Sequence, residues 1–284
     1  MSHERNDEDQ RRAYWTQQME AAHDFVQEMM SRPVVECGEP LASLPDAVAA
    51  SGVTVDFSST LNSSRYERIY YLRQGLIEGF IGAAEAINDR GWTLKVEDGF
   101  RSPVMQKFGA MQEIVFDMVL DRVIWENNGK VPDGALMFRR LSAIAANCPK
   151  VGTHMSGSAI DISVFSSESS EEIDRGGSYL EISELTPIGS PFVTSVQRSH
   201  RDQIDAIMTS HGFVAYPYEF WHYSQGDAYT EYLNNTGKPA RYGPVNFDPD
   251  TTTITPMADP TKYLNTIEEI EKGIDAALNR RDMG

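Results

Sequence analysis

The chain has 284 residues, 40% apolar and 24% charged, a balance that fits a globular protein of one large or two small domains. Its net charge of −17, from 42 acidic against 25 basic side chains, repels phosphate backbones and argues against a nucleic-acid partner. No apolar run approaches the roughly 20 residues of a membrane span. Residues 1–12 are polar and lack a secretory apolar stretch, so the expected location is cytoplasmic, or periplasmic if the sequence is a trimmed mature form.

In chain order, Trp15, Met19, Ala22, Phe25 and Met29 recur at helical spacing and predict an amphipathic helix over 11–31, ended by Pro33. Residues 33–63, rich in Pro, Ser, Gly and Asp, read as an irregular layer with a short strand at 53–55. A second helix is expected over 65–89, with Ile69, Leu72, Leu76, Phe80, Ala83 and Ile87 on its buried side and Gly91 as its stop. Trp92 to Val96 reads as a strand. It leads through Asp98-Gly99-Phe100-Arg101-Ser102 into a third helix from Pro103 to about Asn127. Residues 159–165 alternate, with Ile160, Ile162 and Val164 on one face and Ala159, Asp161 and Ser163 on the other, as a strand with one core face requires.

The Ser-, Glu- and Gly-rich stretch 166–190 reads as a long loop and a candidate lid. A helix over 199–211, N-capped by Ser199, and a strand over 213–215 follow. Residues 237–258 read as a surface excursion, and 261–281 as a closing helix with Leu264, Ile267, Ile270, Ile274 and Leu278 on one stripe. The chain therefore divides into an N-terminal layer (1–64), a core (65–245) and a C-terminal extension (246–284). Interleaved strands and helices without a clean linker predict one α+β domain, an antiparallel sheet with helices packed around it. Cys37 and Cys148 form no CxxC pair, and in the absence of a secretory signal two buried free thiols are expected, although a disulfide between them stays open.

Of the six histidines, His3 lies in a charged tail and His23 on a surface helix. His200 and His211 are about 16 Å apart along one helix and cannot share an ion. His154 and His222 differ. His154 sits between Gly152 and Gly157 and precedes the strand that carries Asp161, while His222 follows Glu219 in an aromatic run of Tyr216, Tyr218, Phe220, Trp221 and Tyr223. His154, Asp161 and His222 supply two imidazoles and a carboxylate, three ligands for one zinc ion with a fourth position open to water. Glu219 is then the candidate base beside that water. In a flat strand Glu219 and His222 would face opposite ways, so a bulge or turn is needed between them. Each segment alone has an ordinary reading, a surface coincidence for the first and a half-buried aromatic strand for the second. Arg101 alone would be a surface salt bridge; beside a zinc site it suits an oxyanion or a substrate carboxylate.

Three ordered segments, Asp98-Gly99-Phe100-Arg101-Ser102, His154 with Asp161, and Glu219-x-Trp221-His222, resemble the motifs of the D-alanyl-D-alanine dipeptidases. These belong to the fold family shared with lysostaphin-type enzymes, D-Ala-D-Ala metallopeptidases and the Hedgehog signalling domain. The similarity runs over about 65–245 and includes Arg198 to His222. The resemblance implies zinc on His154, Asp161 and His222, one ion per chain. It further implies Glu219 as general base and then acid, and Arg101 as stabiliser of the tetrahedral intermediate. The chain departs from the family pattern at Gly152, where Ser is usual, with Thr153 beside it. The family's ammonium-binding Asp segment is replaced by 176–181, which makes Thr153, Tyr179 and Glu181 the candidate substrate contacts.

The expected function is hydrolysis of D-alanyl-D-alanine or a similar small dipeptide, a peptidoglycan-related reaction on a small peptide partner. The rival readings are a D,D- or L,D-carboxypeptidase acting on stem peptides and a non-catalytic zinc-binding module. A homo-oligomer is compatible with the sequence. No HExxH motif is present, so a thermolysin-like enzyme is not supported.

Overall fold

The computed structural model describes residues 2–282, with side chains over 6–282; His3 lies outside those side chains. The elements run α1 (Ser2–Ser31), β1 (Leu41–Ser43), α2 (Leu44–Ser51), β2 (Val55–Phe57), β3 (Tyr71–Arg73), α3 (Ile77–Asn88), β4 (Trp92–Asp98), α4 (Pro103–Met111), α5 (Glu113–Glu126) and α6 (Gly134–Ala145). They continue with β5 (Ala159–Ser166), α7 (Ser195–Ser210), β6 (Val214–Ala215), β7 (His222–Ser224), α8 (Ala228–Leu233), β8 (Val245–Asp248), β9 (Thr253–Pro256) and α9 (Ile267–Asp282).

The central sheet has the order β2-β4-β5-β7-β6. It is antiparallel except at its edge, where β2 runs parallel to β4. The α+β class is the expected one, with that parallel edge strand as the departure. One face of the sheet carries Leu94, Val96, Ile160, Ile162 and Val164 and packs against Phe80, Ala84 and Ile87 of α3 and Ile204 and Met208 of α7. A second apolar cluster forms among α5, α6 and α9, around Phe116, Leu120, Met137, Leu141 and Ile274. Alternation along β5 turns Asp161 to the face opposite Ile160 and Ile162, away from the α3–α7 layer. Phe25 and Met29 of α1 pack with Tyr216 and Tyr229, so the N-terminal helix backs the aromatic wall beside His222.

Several boundaries differ from the sequence reading, each for a local reason. The helix expected from residue 65 begins only at Ile77, because Tyr71–Arg73 pairs with Leu41–Ser43 as a strand. The helix expected over 103–127 is two helices: Gln112 takes extended backbone and caps α5 by accepting from the Val115 amide. The α7 cap is Thr194 in a capping box with Gln197, five residues ahead of Ser199. The last helix starts after Thr266, whose hydroxyl and amide exchange bonds with Glu269. Residues 245–256 form a hairpin whose Val245 is buried with Leu41 and Phe100, not a plain surface excursion. The 33–63 layer holds α2 as well as a short strand, which lies at 55–57 and not at 53–55, and α6 has no counterpart in the sequence reading. Both cysteines are free, but Cys37 is exposed, against the expectation of two buried thiols.

Candidate active site

The site is assembled where β4, β5 and β7 lie side by side. Asp161 pairs with His222 across β5 and β7, so their side chains leave the sheet at one level. On the other side a β-bulge between Val96 and Asp98 brings Asp98 opposite Asp161. His154 comes from a single 3-10 turn, Thr153–Ser156, closed by Gly157 in the left-handed region at φ +66°. The backbone of 216–222 makes the turn that the Glu219 and His222 spacing requires. The Glu219 amide donates to the Tyr216 carbonyl at 3.2 Å, and the His222 amide to the Glu219 carbonyl at 3.2 Å.

His154, Asp161 and His222 are all buried, and their ligand atoms lie within 4.8 Å of one another. His154 Nδ1 lies 2.6 Å from the Gly99 carbonyl, an acceptor only, so Nδ1 carries the proton and Nε2 presents a lone pair. That lone pair faces Asp161 Oδ1 at 3.2 Å, and His222 Nδ1 faces the same oxygen at 2.9 Å. Burial and the Arg101 cation hold His154 below its ordinary pKa, which favours the neutral, ligating ring. Burial opposes the charge on Asp161, but the hydrogen bonds it accepts and the Arg101 cation outweigh it and hold that carboxyl well below its usual range. Acceptors converging in this way are the chemistry of a cation site. Tetrahedral bonds of about 2.0–2.1 Å place ligand atoms about 3.3 Å apart, close to the two distances to Asp161 Oδ1. The residues present fit a metal ion. Gly99 is itself constrained, since a Cβ there would meet the Ile69 carbonyl at 2.7 Å.

Arg101 bridges the two buried carboxylates, with Nε 2.7 Å from Asp98 Oδ2 and Nη2 2.7 Å from Asp161 Oδ2. Asn62 Nδ2 donates to Asp98 Oδ2 at 2.6 Å, and Arg68 Nη1 lies 3.1 Å from it. This Asp98–Asn62–Arg68 group was missed from sequence. The signal available was Asp98 inside the DGFR segment; nothing local links residues 62 and 68 to it. Thr153 Oγ1 is 2.8 Å from His222 Nε2, so it braces that ring. The Tyr179 hydroxyl donates to Asp161 Oδ2 at 3.1 Å, and its ring meets Trp221 edge-on.

Glu219 shares a cleft of about 60 Å³ with His154, Asp161 and His222 and with Arg101, Thr153 and Tyr216. Its carboxyl is raised well above the ordinary range by burial and then by Asp161, with Arg101 pulling the other way. Glu181 does not line that cleft; it borders an adjoining small cavity that Glu219 and Trp221 also line. The long loop is tied down at many points. Arg201, fully buried, donates to the carbonyls of Arg175, Leu185 and Pro187, and the Ser190 hydroxyl donates to that of Glu184.

Comparison with known proteins agrees with this geometry. The sequence family described as D-ala-D-ala dipeptidase matches residues 90–238, just over half of the chain, and spans Arg101, His154, Asp161, Glu219 and His222. The chain is similar to a D-alanyl-D-alanine dipeptidase of Synechocystis sp. (strain ATCC 27184 / PCC 6803 / Kazusa), 26% identical over 239 residues, covering 75% of this chain and 94% of that one. A solved structure described as "Structure of the LdcB LD-carboxypeptidase reveals the molecular basis of peptidoglycan recognition" aligns with 74% of this chain and 79% of its own at 16% identity. Its TM-score is 0.36.

Proposed function

The chain belongs to the D-ala-D-ala dipeptidase family, and from that premise we propose that it is a zinc peptidase that hydrolyses D-alanyl-D-alanine or a similar small dipeptide. The observation that carries this reading is the buried convergence of His154, Asp161 and His222 in the cleft that Glu219 and Arg101 also line. His154 Nε2, Asp161 Oδ1 and His222 Nδ1 are the atoms that would hold the ion. Zinc bound there supplies a Lewis acid that polarises the scissile carbonyl and makes water easier to deprotonate.

The remaining steps belong to side chains of this chain. Glu219 accepts the proton of the attacking water at its carboxylate and passes it to the leaving amine. Arg101, held by Asp98 and Asp161, presents a fixed guanidinium toward the cleft, where it stabilises the oxyanion of the tetrahedral intermediate. Tyr179 and Trp221 wall the site, and Thr153 orients His222 through its ring nitrogen.

The direct test is hydrolysis of D-alanyl-D-alanine and of its N-acetyl derivative by zinc-loaded protein. Cleavage of the free dipeptide alone is the expected result. Equal cleavage of both would favour a carboxypeptidase, and cleavage of neither, with zinc bound, a non-catalytic module.

Arg101→Lys is expected to lower kcat on the order of 10²-fold, because Lys keeps the charge but not the planar fork. Some loss of stability should accompany it, about 1–3 kcal/mol, since two buried carboxylates lose a shared donor. Assays well below the melting temperature separate the two effects. A wild-type rate with a lowered melting temperature would make Arg101 structural only.

The substrate's ammonium needs an acidic partner. Glu184 is engaged by Arg11 and Arg122, and Asp174 by Gln197, which leaves Glu181 as the acid of this segment nearest Glu219 and Trp221. Glu181→Gln is expected to raise KM for free dipeptides by the equivalent of about 2–4 kcal/mol and to narrow the preference over acetylated substrate. An unchanged KM would move this role to another group.

A further inference from the structure

Beside the metal cleft lies a second cavity of about 370 Å³, some six times the volume of the cleft itself. The two are continuous, with Arg101, Gln106, Ala145, Glu219 and Trp221 lining both. The volume falls in the range of roughly 300–1,000 Å³ that holds drug-sized ligands, far more than an alanine methyl group fills. Its floor is apolar and buried at Met105 and Ala110. Its rim is apolar and exposed: Leu61 is 48% accessible, Ile114 64%, Met118 43% and Leu180 43%. Large apolar side chains grouped in the open around a concavity mark a surface that a ligand covers.

Two further features single out this cavity. Ser63 (φ 52°), Ser64 (φ 56°) and Leu180 (φ 67°) line it in the left-handed region, which non-glycine residues occupy at a cost and which clusters at ligand-holding sites. Its charged lining is Arg68, Arg101 and the single acid Glu219, and both arginines are held from behind by Asp98. Arg68 is 8% exposed, donates through Nε to the Thr60 carbonyl at 2.7 Å and pairs through Nη1 with Asp98 at 3.1 Å, so its guanidinium is fixed at the cavity wall.

We propose that this cavity is a specificity subsite that takes a bulky apolar side chain of a peptide substrate. The proposal rests on the peptidase reading and narrows it. The preferred dipeptides carry a leucine- or phenylalanine-sized residue, and alanyl-alanine is accepted but leaves the cavity unfilled. Each fully buried methylene contributes about a fourfold factor in affinity, so burying even about two of the three to six extra carbons gives a preference of about tenfold or more.

The test is kcat/KM of the zinc-loaded full chain on D-alanyl-D-alanine, D-alanyl-D-leucine, D-leucyl-D-alanine and D-alanyl-D-phenylalanine, together with the L,L series. At least one bulky dipeptide should exceed the alanyl-alanine value of the same stereochemistry by about tenfold, mainly through KM. In the double variant Ile114→Ser/Met118→Ser, two exposed positions tolerant of change, that ratio should fall severalfold. Alanyl-alanine cleaved as well as every bulky dipeptide would overturn the subsite and leave the peptidase reading standing. If no dipeptide is cleaved, the peptidase reading fails, and calorimetry of the same dipeptides on the unreactive protein decides the cavity. Tighter binding of a bulky dipeptide supports it, and equal or absent binding overturns it.

Discussion

Glu219→Gln is expected to keep the metal and lose most of the turnover, by about 10²–10⁴-fold in kcat. The amide preserves the size of the side chain and its fit against Trp221, but it cannot take a proton from water. Glu219 is positioned by backbone, since the turn that holds it is closed by bonds from the Glu219 and His222 amides, which the substitution leaves in place. His154, Asp161 and His222 contact one another directly and do not depend on Glu219 for their geometry. Metal content and fold should therefore be those of the wild type. Removing a carboxyl whose charged form burial and Asp161 disfavour should leave the melting temperature the same or raise it. Measuring zinc content, melting temperature and kcat on one preparation tests this. Joint loss of zinc and activity would recast Glu219 as a ligand or a structural acid.

How far such a site can be read from sequence depends on whether its parts are local. Asp161 was legible because alternation from Ala159 to Phe165 fixes which face it takes, and the apolar face is indeed the one against α3 and α7. The need for a turn between Glu219 and His222 followed from strand geometry alone, and a turn is what the backbone makes. The Asp98 group was not legible. Its role depends on a β-bulge and on residues 36 and 30 positions away, and neither leaves a periodic trace. The same reasoning accounts for the misplaced start of α3. Residues 66–72 have apolar side chains at spacings that satisfy a helix, but the pairing of Tyr71–Arg73 with Leu41–Ser43 is a tertiary event that overrides the pattern. The large cavity is illegible for a related reason, since it is bounded by segments as far apart as Leu61, Ile114, Leu180 and Trp221.

His154→Ala is the second large effect. It should lower metal affinity by about a hundredfold or more, since even the groups that merely orient a ligand are worth about 10–100-fold. The protein should still fold, because Asp161 keeps Arg101 and the Tyr179 hydroxyl as partners and the turn at 153–156 is held by its own backbone and by Ser156 donating to the Thr153 carbonyl. In the wild type a strong chelator should lower the melting temperature, because an ion bound only by the native state stabilises it by mass action. In His154→Ala the chelator should have little effect. Thr153→Val supplies the graded comparison. Its hydroxyl meets His222 Nε2, so its loss should weaken metal binding within that 10–100-fold range and be rescued by excess zinc. A Thr153 that instead contacts substrate would raise KM at saturating metal and leave zinc affinity alone. Full zinc stoichiometry in purified His154→Ala after dialysis would remove His154 from the ligand set, and with it the case for an ion held between His154, Asp161 and His222.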